Sequence, residues 1–155
     1  MLFKTKPLLY LQLLDQSLRY MAVDQKNHTI LEKGKVVFDA NVLEEGKMTN
    51  VSLLETRLDA LVREKKWKNA KVHILLMEDF VTVREEPVSA QLTEEEIRAY
   101  LTLHMNRSIR MPFESPVFDF EILEKGETEQ KIMLLAYPSE QVEQYQELLR
   151  NVCKI

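Results

Sequence analysis

Two short runs in this sequence, Val72–Met77 and Ile132–Tyr137, are apolar almost without a break, and each adjoins a stretch with helical periodicity. A strand covered on both faces has this composition, because neither face can carry polar side chains. Such strands occur where helices pack on a sheet, so the chain is expected to fold as an α/β protein. Ahead of the first run, Asn50 stands as a helix cap, and Leu54, Leu58, Leu61 and Val62 fall at i, i+4, i+7 and i+8 on one face. A helix leading into a strand implies a parallel crossover. After the second run, Pro138 and Ser139 open a helix whose buried stripe is Val142, Tyr145, Leu148 and Leu149.

The remaining segments fill in around these. Leu8–Leu14 and Leu18–Val23, separated by Asp15-Gln16-Ser17, read as a hairpin. Thr29–Leu31 and Val36–Phe38 flank Lys33-Gly34-Lys35, which predicts a third strand bent or bulged at Gly34. Val81 and Val83 alternate with Thr82 and Arg84 until Pro87 breaks the pattern. Thr93 and Glu96 form a capping box, and Glu94 and Glu95 add negative charge to the first turn of a helix that runs to about Met105. Its inward stripe is Ile97, Tyr100, Leu101 and His104 or Met105. Met111-Pro112-Phe113 makes a rigid apolar loop, Phe118, Phe120 and Ile122 line one side of the next strand, and Gly126 marks the turn that follows.

Several functions are disfavoured by what the chain lacks. Lys plus Arg total 21 against 25 Asp plus Glu, a net charge of -4, which argues against a grip on nucleic-acid phosphates. The basic run Arg63, Lys65, Lys66 and Lys68 ends a helix, where cations are favoured by the exposed carbonyls of the last turn. Cys153 is the only cysteine, so no intrachain disulfide can form, and a reducing compartment is expected; its place on a terminal helix suggests a packing role. Lys4 and Lys6 before Leu8–Leu14 imitate a secretory signal, yet Pro7 and Gln12 interrupt it and Asp15-Gln16 follows where a small-residue cleavage site belongs. No apolar run nears the ~20 residues of a membrane span, so the chain is expected to be cytoplasmic with its N-terminus retained.

Catalytic signals are equally sparse. His28, His73 and His104, read as a turn, a buried strand and a helix, show no metal-ligand spacing, and Ser17, Ser108, Ser115 and Ser139 lack the small neighbours of a nucleophile elbow. Only Gly34, Gly46 and Gly126 occur, unclustered, whereas a loop that cradles phosphate needs glycines for close backbone approach. The expectation is a binding or assembly module without metal, cofactor or catalytic site.

Four segments resemble the PilM family of cytoplasmic type IV pilus assembly proteins, actin-like proteins related to FtsA. Leu11-Gln12-Leu13-Leu14-Asp15-Gln16-Ser17-Leu18-Arg19 resembles the family's first hairpin, and Gly46-Lys47-Met48-Thr49-Asn50 its approach to the first helix. The most specific match joins Leu92-Thr93-Glu94-Glu95-Glu96-Ile97, Ile109-Arg110-Met111-Pro112-Phe113 and Val117-Phe118-Asp119-Phe120, which are similar to the family's inserted subdomain. Met133-Leu134-Leu135-Ala136-Tyr137-Pro138-Ser139, with Val142 and Tyr145, completes the likeness to the family's N-terminal half.

The resemblance implies half of an actin-like (RNase H-like) fold. Residues 1–80 and 130–155 would form the core, a mixed sheet of about five strands flanked by helices, and 81–129 a small inserted α+β subdomain. It also implies a degenerate nucleotide loop at Gln12, Leu14, Asp15, Gln16 and Ser17. There Gln12 replaces a metal-holding Asp, Leu14 replaces the turn glycine, and Asp15 adds repulsion towards phosphate. The implied partner is the cytoplasmic tail of a PilN-like inner-membrane protein, received by Tyr100, Leu101, Arg110, Met111, Pro112 and Phe113, which would leave the chain peripheral to the inner membrane. Self-association stays open. Two alternatives remain: half of an actin-like ATPase that binds nucleotide only with a missing C-terminal half, and an FtsA-like or secretion-system relative using the same surface.

Overall fold

The computed structural model describes residues 6–153, for Cys153 the backbone alone. The first residues of the signal-like segment therefore lie outside the described residues, as does the side chain on which the packing role of Cys153 depends. The chain divides into two compact units, Met1–Met77 with Glu143–Ile155, and Glu78–Val142.

In the first unit, β1 (Leu8–Leu14) and β2 (Ser17–Val23) form the expected antiparallel hairpin, with Leu14 opposite Ser17 and Asp15-Gln16 as its two-residue turn. Next, β3 (Ile30–Val37) pairs antiparallel with β2. A short hairpin of β4 (Leu43–Glu44) and β5 (Lys47–Met48) turns through Glu45 and Gly46, both at positive φ (50° and 75°), the geometry for which glycine is suited. Asn50 then caps α1 (Val51–Glu64), its side chain accepting from the Leu53 N–H at 3.4 Å, and β6 (Lys71–Leu75) returns parallel to β1. The mixed sheet has the order β3-β2-β1-β6.

One face of this sheet is core. Leu9, Leu11 and Leu13 point to it, where they join Leu54, Leu58, Leu61 and Val62 of α1. Each of these aliphatic side chains contributes roughly 1.5–3 kcal/mol by leaving water.

Two expectations change in this unit. The run Val72–Met77 is not doubly covered: β6 ends the sheet of this unit, Val72 and Ile74 turn inward, and His73 and Leu75 are exposed. The apolar run extends past the strand because Leu76 and Met77 pack against the same core after β6 has ended. Nor does Gly34 bend β3, which runs through it opposite Tyr20; the irregularity lies instead near the start of β3, where Leu31 is skipped between the pairs Val23–Ile30 and Ala22–Glu32.

The second unit opens with a 3-10 turn, Glu78–Phe80, followed by β7 (Thr82–Ser89), α2 (Glu94–His104), β8 (Pro116–Lys125) and β9 (Glu129–Pro138). Its sheet is antiparallel in the order β7-β9-β8. The capping box forms as the sequence predicts, and Ile97 and Leu101 of α2 are buried together with Val88, Ile109, Ile132 and Leu134.

Here the expected boundaries shift. Ile132–Tyr137 is not a fifth strand of the first sheet; it lies in β9, the middle strand of this one, which leaves the first sheet with four strands. Its apolar character follows from that place: Ile132, Leu134 and Ala136 are buried on one face, and Met133 and Leu135 are half-buried on the other. Residues 130–142 thus belong with 81–129 rather than with the core. Pro87 does not end β7 either, because β7 is an edge strand, where a missing N–H is tolerated. Gln130 is 2% exposed, and its amide donates to the carbonyls of Ser89 (3.0 Å) and Leu92 (2.9 Å), tying β7 to the approach of α2.

The last helix, α3 (Ser139–Cys153), begins in the second unit and continues in the first, where Tyr145, Leu148, Leu149 and Val152 join the core.

Candidate functional site

The segment after α2 is held by one side chain. Asn106 follows the helix C-cap at φ 59°, the left-handed position that asparagine tolerates better than most residues. From there its amide nitrogen donates to the carbonyl of Phe113 at 3.0 Å and to that of Glu114, while its amide oxygen accepts from the Met111 N–H at 3.2 Å. Both ends of Met111–Glu114 are thereby fixed. Arg84 of β7 donates to the carbonyl of Arg110 at 2.8 Å and so anchors the loop from the neighbouring strand.

The loop shapes a groove of about 530 Å³ lined by Asn106, Arg107, Arg110, Met111, Pro112, Phe113 and Glu114. Arg110 and Pro112 are exposed, and Met111 and Phe113 are half-buried. Among the described residues, neither Arg107 nor Arg110 forms an ion pair. The groove therefore offers apolar surface beside two unpaired guanidinium groups, an arrangement suited to an extended peptide with an apolar anchor and a carboxylate.

Four of the six expected docking residues meet in this groove; Tyr100 and Leu101 do not line it. Leu101 is 0% exposed, a core residue that no partner can reach. Tyr100 packs partly on the same core and tilts against His104, ring centroids 4.1 Å apart. The helical stripe read from the sequence is what buries Leu101, so its inward position and a docking role exclude each other. Sequence reading missed Asn106, Arg107 and Glu114; the one available signal was an asparagine directly after a helix, where a left-handed residue is common.

The hairpin residues with a degenerate nucleotide pattern do not converge on one cavity. Leu14 is half-buried and Ser17 buried, while Gln12 faces a groove on the outer side of the first sheet. Asp15 lies instead in a separate depression, lined also by Glu44, Glu45 and Lys47, where the turn meets the β4–β5 hairpin, so acidic residues outnumber basic ones there. The Asp15 carbonyl accepts from the N–H of Val42 at 2.7 Å, and that of Gln16 accepts from Phe38 at 2.9 Å, which fastens the turn to the segment after β3. Such a place disfavours a polyphosphate.

The histidines stand apart. His73 is exposed rather than in the expected buried setting, and it tilts against Tyr10 with centroids 5.3 Å apart. The ring of His104 shares a hydrogen bond with the Ser108 hydroxyl at 2.8 Å. Among the described residues, no three His, Cys, Asp or Glu side chains gather as a metal ion would require, and no helix is long and apolar enough to cross a membrane.

No family model and no curated protein matches this sequence. Among solved structures, the chain is similar to a chain of a PilM-PilN type IV pilus biogenesis complex, with a TM-score of 0.74 and 20% identity, covering 96% of this chain and 45% of that one. It also aligns with a Bacteroides thetaiotaomicron protein of unknown function with an actin-like ATPase fold, at a TM-score of 0.40 and 15% identity, covering 94% and 49% of the two chains. The chain thus spans less than half the length of either. The first likeness shows the fold, a mixed α/β fold shared with a chain of that pilus complex.

Proposed function

We propose that this chain is a non-catalytic scaffold of a type IV pilus, or of a related secretion or competence machine, and that it binds the cytoplasmic tail of a PilN-like inner-membrane protein. The observation that carries the reading is the loop pinned by Asn106 and Arg84, which offers Arg110, Met111, Pro112 and Phe113 in one groove. The fold shared with a chain of a PilM-PilN complex supports the choice of machine. On this reading the tail's apolar anchor sits against Met111, Pro112 and Phe113 while Arg110 receives a carboxylate or a backbone carbonyl. The chain acts in the cytoplasm and reaches the inner membrane through its partner.

The test is calorimetric titration of the intact chain with the N-terminal peptide of a candidate PilN-like inner-membrane protein. Saturable binding is expected, with Arg110→Ala and Phe113→Ala each costing about 2 kcal/mol, as central interface residues do. Absence of binding by the intact chain sinks this reading.

A second reading, half of an actin-like ATPase completed by a further half, is favoured by one observation: the chain spans only 45% of the pilus-complex chain that it resembles. The carboxylates of Asp15, Glu44 and Glu45 around the first hairpin turn weigh against it. Saturable magnesium-ATP binding by the full-length gene product would favour this second reading over the first.

A further inference from the structure

Among the described residues, the first unit leaves one sheet face open, and its charge is segregated. The inner face is core, whereas the outer face is lined by Tyr10, Arg19, Met21, Lys33, Lys35 and Leu75 around a groove of about 580 Å³. Lys71 adds a fourth cation at the other edge, on β6 opposite Leu8. Every alternate position that points outward from β1, β2, β3 and β6 is apolar, neutral or basic, and none is Asp or Glu, although acidic residues outnumber basic ones in the chain.

The cations are not balanced from within. Among the described residues, none of Arg19, Lys33, Lys35 and Lys71 forms an ion pair. Arg19 and Lys35 stand directly opposite each other on adjacent strands, an arrangement that destabilises a sheet by itself. Beside them lies uncovered apolar surface: Val37 is 59% exposed and Leu75 45%. An uncompensated like-charge pair next to bare apolar side chains is a cost without return inside this chain.

We propose that this face seats an acidic amphipathic helix of a partner protein. Four strands spaced 4.7–4.9 Å apart make a face about 14 Å wide, and a helix with its side chains is about 10 Å across, so one helix fits along it. Its apolar stripe rests on Tyr10, Met21 and Leu75, and carboxylates on its flanks meet Arg19, Lys33 and Lys35 on one side and Lys71 on the other. This binding is independent of the loop around Arg110.

The test uses the full chain and a fluorescein-labelled peptide of about 18 residues, with a leucine stripe at helical spacing flanked by glutamates, alongside the same stripe flanked by lysines. Fluorescence anisotropy is expected to show saturable binding of the glutamate peptide only, weakened by salt. Affinity should fall about tenfold or more in K33E/K35E, with a smaller fall in K33S/K35S, whose neutral side chains guard against misfolding of the first variant. Arg110→Ala should leave this binding unchanged, so the pilus reading and this one fail separately. Equal binding of both peptides overturns the proposal, as does undiminished binding by a folded K33E/K35E chain. Binding to phosphatidylserine vesicles but not to the glutamate peptide, lost in K33E/K35E, would assign the face to a bilayer and equally overturn it.

Discussion

A methyl group on Gly34 would lie 2.3 Å from the Tyr20 hydroxyl oxygen and 2.4 Å from its Cζ, and the Tyr20 ring is itself held edge-on against Trp67 at 5.3 Å between centroids. The ring lies across the glycine, so an added side chain has to displace an aromatic residue from the core. Gly34→Ala is expected to lower stability by about 1–3 kcal/mol in urea denaturation, as overpacking does, and the cost should shrink in a Tyr20→Leu background because the two sites are coupled. Gly34 was conspicuous in the sequence, but a strand glycine facing a cross-strand ring has the same local signature as one at a bend. Asn106 carried a weaker signal, and its three side-chain hydrogen bonds reach residues five to eight positions ahead, beyond any local pattern. Asn106→Gly keeps the left-handed backbone but removes those bonds. If the proposed tail docks at the Arg110 groove, this variant should therefore weaken that binding while leaving the thermal midpoint nearly unchanged, which paired titration and melting measurements would show.

Helix α2 owes its start to Thr93 and Glu96, and here the sequence spoke plainly because every partner lies within three residues. Thr93→Ala should cost about 1 kcal/mol by chemical denaturation. The Thr93 N–H and hydroxyl, bonded to the Glu96 carboxylate, hold it below its ordinary value of 4.5. The unfolded chain thus binds this proton more readily than the folded one, so the contribution is full above about pH 4.5 and is lost as pH falls through the lowered native value. Glu96→Gln should flatten that part of the stability profile. Asp119, lowered by its 2.8 Å bond from Arg98, responds to acid in the same direction. Strand placement was harder to read: β9 and β6 have similar composition, yet one is central and the other ends its sheet, because pairing partners far apart in sequence decide which strand has two neighbours. The edge position of β7, which lets Pro87 remain in a strand, was hidden for the same reason.

Across the whole molecule, the α/β class, the hairpin start and the parallel return after α1 could be read from periodicity, since each follows from local spacing. The division at Met77 and Val142 could not, because β9 joins its sheet through register alone. At the candidate site, Met111-Pro112-Phe113 could be read as a rigid apolar loop and Arg110 joined it only through the family resemblance, whereas the exclusion of Leu101 needed the packed core. If the scaffold reading holds, the intact chain should give no saturable heat with magnesium-ATP, and Asp15→Gly alone should not restore binding, because Glu44 and Glu45 still repel phosphate. The passage of α3 from one unit into the other bears on synthesis. The core of the second unit, from Val88 to Leu134, is complete in the nascent chain well before the first unit acquires Tyr145, Leu148, Leu149 and Val152. The segment made first therefore finishes last, reversing the usual N-terminal-first order: α1 covers its leucine-rich hairpin early, but that core stays incomplete on the ribosome until residue 152 has emerged.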